Sequence, residues 1–94
     1  MNYTDFDGAL LLALKALLQE RNVTRAAAQL GISQPALSAR LARLRDILAD
    51  PLFVPAANGR GVVPTPRAQA LEQELLQVLE GLKRLVSQPE RFDP

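Results

Sequence analysis

The chain has 94 residues, 48% of them hydrophobic and 22% charged, with a net charge of +1, which fits one domain of ordinary globular composition. It holds no cysteine and no histidine, so a disulfide frame, a thiolate site, a Ser-His or Cys-His pair and any histidine-based metal centre are excluded within it. Its longest unbroken apolar run, residues 9–14, falls far short of the ~20 residues that a membrane span needs. Asp5 and Asp7, with no basic stretch beside them, argue against a signal peptide, and a cytoplasmic location is expected. A chain of this length buries only about 60–65% of its unfolded surface. One modest core is expected, with room for help from a partner subunit.

The small net charge hides a strong asymmetry. Residues 21–67 carry seven arginines against Asp46 and Asp50, a local net of +5, and the segments on either side are each −2. Every basic residue of the middle block is arginine, whose planar fork suits phosphates and base edges. Such a block points to a polyanion or, equally, to a solvated face.

The first expected element is a core helix over about residues 6–21. Asp5 or Asp7 can cap it, and Leu10, Leu11, Leu14, Leu17 and Leu18 recur at helical spacing. A short second helix over 25–30 follows, with Thr24 as the expected N-cap and three alanines as strong helix formers. Gly31 is suited to the left-handed residue that ends it, and Ile32 to the apolar contact beyond. Ser33 then caps a third helix at once, with Pro35 tolerated in its first turn. Two helices joined by a tight glycine-centred turn form a helix-turn-helix. Ala27, Gly31 and Leu37 strengthen that reading: a small residue at the crossing, the turn, and the residue that packs back. An αα-hairpin of another function is the alternative.

The third helix extends to about Ala49. Leu37, Leu41, Leu44 and Leu48 share one face, and Pro35, Ser38, Ala39, Ala42 and Arg43 the other, with Gln34 at the exposed N-terminal end. Short side chains let a helix backbone approach base edges in a major groove. Gln34 can pair with adenine, Ser38 can donate or accept, and Pro35 and Ala39 can touch a thymine methyl. Arg43, more than two turns along, is better placed for phosphate. Arg40 and Arg45 flank the apolar stripe and serve either as solvated helix charge or as DNA contacts.

Asp50-Pro51 ends this helix. Leu52-Phe53-Val54 and Gly61-Val62-Val63 are short β-prone runs around a flexible turn that ends in Arg60. They fit a two-stranded wing whose Arg60 reaches a minor groove or a phosphate, or else a plain connecting loop. Thr65 and Pro66 restart a helix as N-cap and N1, running to about Ser87. Ala68, Leu71, Leu75, Val78, Leu82 and Leu85 follow a heptad seam, with Leu76, Leu79 and Val86 in a second stripe beside it. One small domain can cover one stripe, so the other predicts a homodimer through Leu71, Leu75, Val78, Leu82 and Leu85. Gln88-Pro89 closes the helix.

These residues also carry a family resemblance. The motifs are Val23-Thr-Arg-Ala-Ala-Ala-Gln-Leu-Gly-Ile-Ser-Gln-Pro-Ala-Leu-Ser38, then Leu44, then Asp50-Pro-Leu-Phe53, then Val63-Pro-Thr-Pro-Arg-Ala68. Residues 22–68 and the long helix after them resemble the N-terminal domain of the LysR-type transcriptional regulators. The resemblance implies a mainly α winged helix-turn-helix domain over 1–64, with a three-helix core and a two-stranded β wing. It implies a linker and dimerisation helix over 65–88 and a hinge remnant over 89–94, with Phe92-Asp-Pro94 resembling the start of that hinge. Gln34, Pro35, Ser38 and Ala39 would face bases, and Thr24, Arg25, Ser33 and Arg43 would approach phosphates. Two departures stand out. Pro55 replaces an arginine frequent in the family, which leaves Arg60 or Arg67 as the substitute backbone contact. Ala39 replaces another frequent arginine, as in one branch of the family that also reads Ala-Arg-Leu-Arg, here 42–45.

The expected function is sequence-specific binding of double-stranded DNA by a dimer at an interrupted inverted repeat. The resemblance adds a larger effector-binding domain beyond this fragment, where a small-molecule inducer would bind, and a tetramer as a further state of the full-length protein. No cofactor is expected in the fragment. A helical interaction or dimerisation module with a degenerate helix-turn-helix is the alternative. An enzyme is the least fitting reading, because Glu72, Glu74 and Glu80 read as solvated helix faces.

Overall fold

Asp7, rather than Asp5, starts the first helix, accepting from the Leu10 N–H at 2.9 Å. The computed structural model describes residues 3–87. A 3-10 turn, Tyr3–Asp5, precedes α1, Gly8–Glu20. Helix α2 is Val23–Leu30, α3 is Gln34–Leu48 and α4 is Pro66–Val86. Between α3 and α4, strands β1, Phe53–Pro55, and β2, Val62–Pro64, pair antiparallel with Val54 opposite Val63. Mainly α with a two-stranded wing is thus the observed fold.

Several boundaries differ from the sequence reading. Arg21 ends α1 in the left-handed region, at φ 51°. Asn22, not Thr24, caps α2: its side chain accepts from the Arg25 N–H at 2.9 Å, which draws Val23 and Thr24 into the first turn. Gly31 closes α2 at φ 71°. Its N–H donates to the Ala28 carbonyl at 3.1 Å and that of Ile32 to Ala27 at 3.0 Å, the paired bonds of a Schellman end. Leu52 is not in a strand, because its φ of 65° turns the chain out of α3 into the wing. Left-handed backbone costs a leucine about 1–2 kcal/mol, and complete burial of its side chain offsets that cost. The expected helix end at Gln88-Pro89 and the hinge over 89–94 lie outside the described residues.

The core is built on α1, whose Leu10, Leu14 and Leu17 are buried with Leu37, Leu41 and Leu44 of α3. Ala26 and Ala27 are buried where α2 packs on both helices, so a small residue serves at the crossing. Phe53 plugs the wing onto this core, and Ala68, Leu75 and Leu79 dock α4. Each fully buried leucine contributes about 1.5–3 kcal/mol.

Asp50 joins three elements. Its Oδ2 accepts from the Thr65 hydroxyl at 2.7 Å and from the Leu52 N–H at 2.8 Å. Thr65 in turn accepts from the Ala68 N–H as the α4 cap. The Thr65 bond, then the Leu52 bond, and the charge of Arg67 hold the Asp50 carboxyl below its ordinary pKa, against a smaller desolvation effect. The native chain therefore holds this proton less tightly than the unfolded chain does. The stabilisation is complete above the unfolded pKa of about 3.9 and disappears as pH falls through the lower native value. Melting temperatures of wild type and Asp50→Asn, measured from pH 7 to pH 2, should converge at the acid end. A gap that stayed constant over that range would contradict the linkage.

Candidate nucleic-acid interface

The N-termini of α2 and α3 meet on one exposed face, because Gly31 permits the tight turn between the helices. Ser33 caps α3, accepting from the Ala36 N–H at 3.2 Å. Its own hydroxyl proton stays available to a further acceptor. Gln34, Pro35, Ser38, Ala39, Ala42 and Arg43 are all exposed, while Leu37, Leu41 and Leu44 of the same helix are buried. The face is small and polar, and Arg43 lies about 13 Å beyond Gln34 along the axis. Thr24 and Arg25 are exposed in the first turn of α2. The Thr24 hydroxyl donates to Gln34 Oε1 at 3.1 Å, so the two helix ends are linked through their side chains.

The wing brings Arg60 to the same neighbourhood. The Val62 N–H donates to the Arg21 carbonyl at 2.9 Å, which ties β2 to the turn between α1 and α2. Gly61, at φ 69°, passes so close that a Cβ there would collide with that carbonyl oxygen. The loop folds on itself through Ala56 N–H to the Gly61 carbonyl at 3.1 Å and Arg60 N–H to Asn58 Oδ1 at 2.9 Å. As a result Arg21, Asn22, Arg25 and Arg60 line one open concavity with Glu20 and Gly61. Arg67 is not part of this group; it sits in the first turn of α4, where its charge acts on Asp50.

Arg45 has a role that sequence reasoning missed. It is not a free helix charge. Its Nε donates to the Pro51 carbonyl at 2.8 Å and its Nη2 to the Phe53 carbonyl at 3.1 Å, tying α3 to the wing base. No periodicity marks such a bond, since both partners are backbone atoms six and eight residues away. Asn22 was legible by the capping rule, lying three residues before Arg25. Arg21 sits at an αL helix end and carries no motif of its own.

The apolar seam of α4 divides along its length. Leu75 is buried and Leu71 half-buried against this protomer's own core. Val78, Leu82 and Leu85 are 52%, 46% and 73% exposed, beside exposed Leu76 and Val86. An apolar groove runs between the start of α1 and this second half of α4, lined by Phe6, Leu11, Val78, Leu82 and Leu85. Of the five residues expected at a dimer interface, Leu75 packs within its own chain, whereas Val78, Leu82 and Leu85 stand exposed.

A helix-turn-helix with an antiparallel wing, an exposed face of small residues and arginines around it is a winged helix-turn-helix domain. The sequence model of the family described as "Bacterial regulatory helix-turn-helix protein, lysR family" matches residues 9–69. The chain belongs to the LysR family. It is 49% identical over 86 residues to the HTH-type transcriptional regulator SyrM 2 of Sinorhizobium fredii, covering 92% of this chain and 25% of the relative. It is 44% identical over 94 residues to Nodulation protein D 1 of Bradyrhizobium elkanii, covering 100% of this chain and 29% of the relative. The chain thus spans about a quarter of the length of the curated relatives it matches. Among solved structures, a probable transcriptional regulator from Pseudomonas aeruginosa, PA0477, superposes with a TM-score of 0.76 at 41% identity, over 83% of this chain and 26% of that one. The BenM DNA-binding domain in complex with catB site 1 DNA superposes with a TM-score of 0.77 at 29% identity, over 88% of this chain and 91% of that one. The regulators among these relatives are not enzymes by name. No helix among the described residues is long and apolar enough to cross a membrane.

Proposed function

We propose that this chain is the DNA-reading and dimerising part of a cytoplasmic bacterial transcription regulator. The observation that carries the reading is the shared exposed face at the N-termini of α2 and α3, flanked by arginines from α2, α3 and the wing. Residues 1–64 form the DNA-binding domain, 65–88 the linker helix, and 89–94 lead toward an effector-binding domain that takes a small-molecule inducer. Gln34, Pro35, Ser38 and Ala39 read bases in the major groove. Arg25, Ser33, Arg43 and Arg60 hold the phosphate backbone, and Arg67, in the first turn of α4 and apart from the other arginines, makes the weakest contribution of those assigned there. Two copies pair through the overhanging half of α4 and bind an interrupted inverted repeat, because a two-fold protein reads a two-fold site. In the full-length protein two dimers join as a tetramer.

Titration of Gln34→Ala and Arg43→Ala on selected and scrambled duplexes, at several salt concentrations, tests this reading. Gln34→Ala should cost about 1–3 kcal/mol on the preferred site, relax its base choice, and leave non-specific binding nearly intact. Arg43→Ala should weaken both duplexes and reduce the salt slope by roughly 0.9 per half-site. Base preference that changed with Arg43 and not with Gln34 would place the helix wrongly in the groove. Binding unchanged in both variants would favour an interaction module.

A further inference from the structure

We propose that Thr24 is a specificity-determining positioning residue, whose hydroxyl holds the Gln34 carboxamide in the orientation that selects adenine. This rests on the reading of Gln34 as a base-contacting side chain. Glutamine at an exposed helix start has three rotatable bonds and an amide that can present either end. Here one end is engaged. Thr24 Oγ1 lies 3.1 Å from Gln34 Oε1, and the carboxamide oxygen has no proton, so the hydroxyl is the donor. A hydroxyl has a single proton. While Thr24 gives it to Gln34, it has none for a phosphate, so the role implied by family resemblance gives way to a different one.

The remaining valences of Gln34 match one base. Oε1 keeps its second lone pair and Nε2 both of its protons. An acceptor beside a donor is the complement of adenine, whose N6 donates and whose N7 accepts. Guanine presents O6 and N7, both acceptors, and would set O6 against Oε1. Holding the amide before DNA arrives also removes part of the ordering cost of the contact. The geometry requires the two helix ends to approach, which the Gly31 turn and the Asn22 cap provide by placing Thr24 within the first turn of α2.

The experiment uses the 94-residue chain and a duplex that it selects from a random-sequence pool. Affinities are measured for that duplex, for the same duplex with the Gln34-contacted A·T pair changed to G·C, and for scrambled DNA over a range of salt. Thr24→Val, close in shape and lacking the hydroxyl, should lower the A·T over G·C discrimination about 3–10-fold, the worth of one hydrogen bond. Thr24→Ser should restore it. Scrambled-DNA affinity and salt slope should not change. In a Gln34→Ala background, Thr24→Val should have no further effect. If Thr24→Val instead lowered scrambled-DNA affinity and the salt slope, with or without Gln34, Thr24 would be a phosphate contact and the proposal overturned. Full discrimination in Thr24→Val, alongside its loss in Gln34→Ala, would overturn the role of Thr24 alone. Unchanged discrimination in Gln34→Ala would overturn the base-reading assignment and this one with it.

Discussion

A Leu82→Glu, Leu85→Glu variant should sediment as a monomer and bind its DNA site roughly 100-fold or more weakly, because two linked half-site contacts become independent. The argument starts from exposure. Leu82 and Leu85 stand with Val78 on the half of α4 that this protomer leaves uncovered. The same charge at Leu75 would be buried in the protomer's own core and would test folding instead. Thermal melting should therefore change little in the double variant, while sedimentation and operator titration change together. A variant that kept the wild-type mass and affinity would move the subunit contact elsewhere.

Gly61→Ala should destabilise the chain by about 2–3 kcal/mol, combining the left-handed backbone with the loss of the Val62 to Arg21 hydrogen bond. The new Cβ meets the Arg21 carbonyl oxygen, a backbone atom that cannot swing away as a long side chain could. The wing would separate from the α1–α2 turn and carry Arg60 away from Arg21 and Arg25. Urea denaturation reads the stability change, and binding to scrambled DNA reads the displaced arginine. A variant within 0.5 kcal/mol of wild type, on the scale of ordinary surface substitutions, would mean that the contact does not constrain the wing.

Much of the architecture was legible in short-range chemistry. Ser33 and Thr65 cap where expected, Gly31 turns where expected, and Leu37, Leu41 and Leu44 are buried, since caps, turns and periodicity act over a few residues. The exposed face of α3 followed from the same wheel. What escaped depends on contacts between distant segments. Leu52 reads as a strand residue by propensity, yet Asp50, Thr65 and its own burial hold it left-handed. Arg45 reads as a solvated charge until the chain returns and presents two carbonyls to it. The α4 heptad reads as uniform because periodicity carries no information about where α1 stops covering it. The link from Thr24 to Gln34 joins two helices whose mutual approach no local pattern specifies.

The base of α4 is anchored three ways: through the Asp50 to Thr65 bond, the Thr65 N–H to the Leu52 carbonyl at 2.8 Å, and Gln69 Nε2 to the Pro64 carbonyl at 3.3 Å. A rod clamped at one end and free beyond Leu79 is a lever arm. In the proposed dimer, joined near the tip, the distance between the two copies of α3 depends on the bend of that arm. A swing of ~10° over the ~10 Å that extends past Leu79 moves the tip by ~2 Å, about half a base-pair step of ~3.4 Å. In the proposed dimer the clamp at Asp50 is the zero mark of a ruler, and the gap tolerated between half-sites would measure how far the unclamped portion flexes.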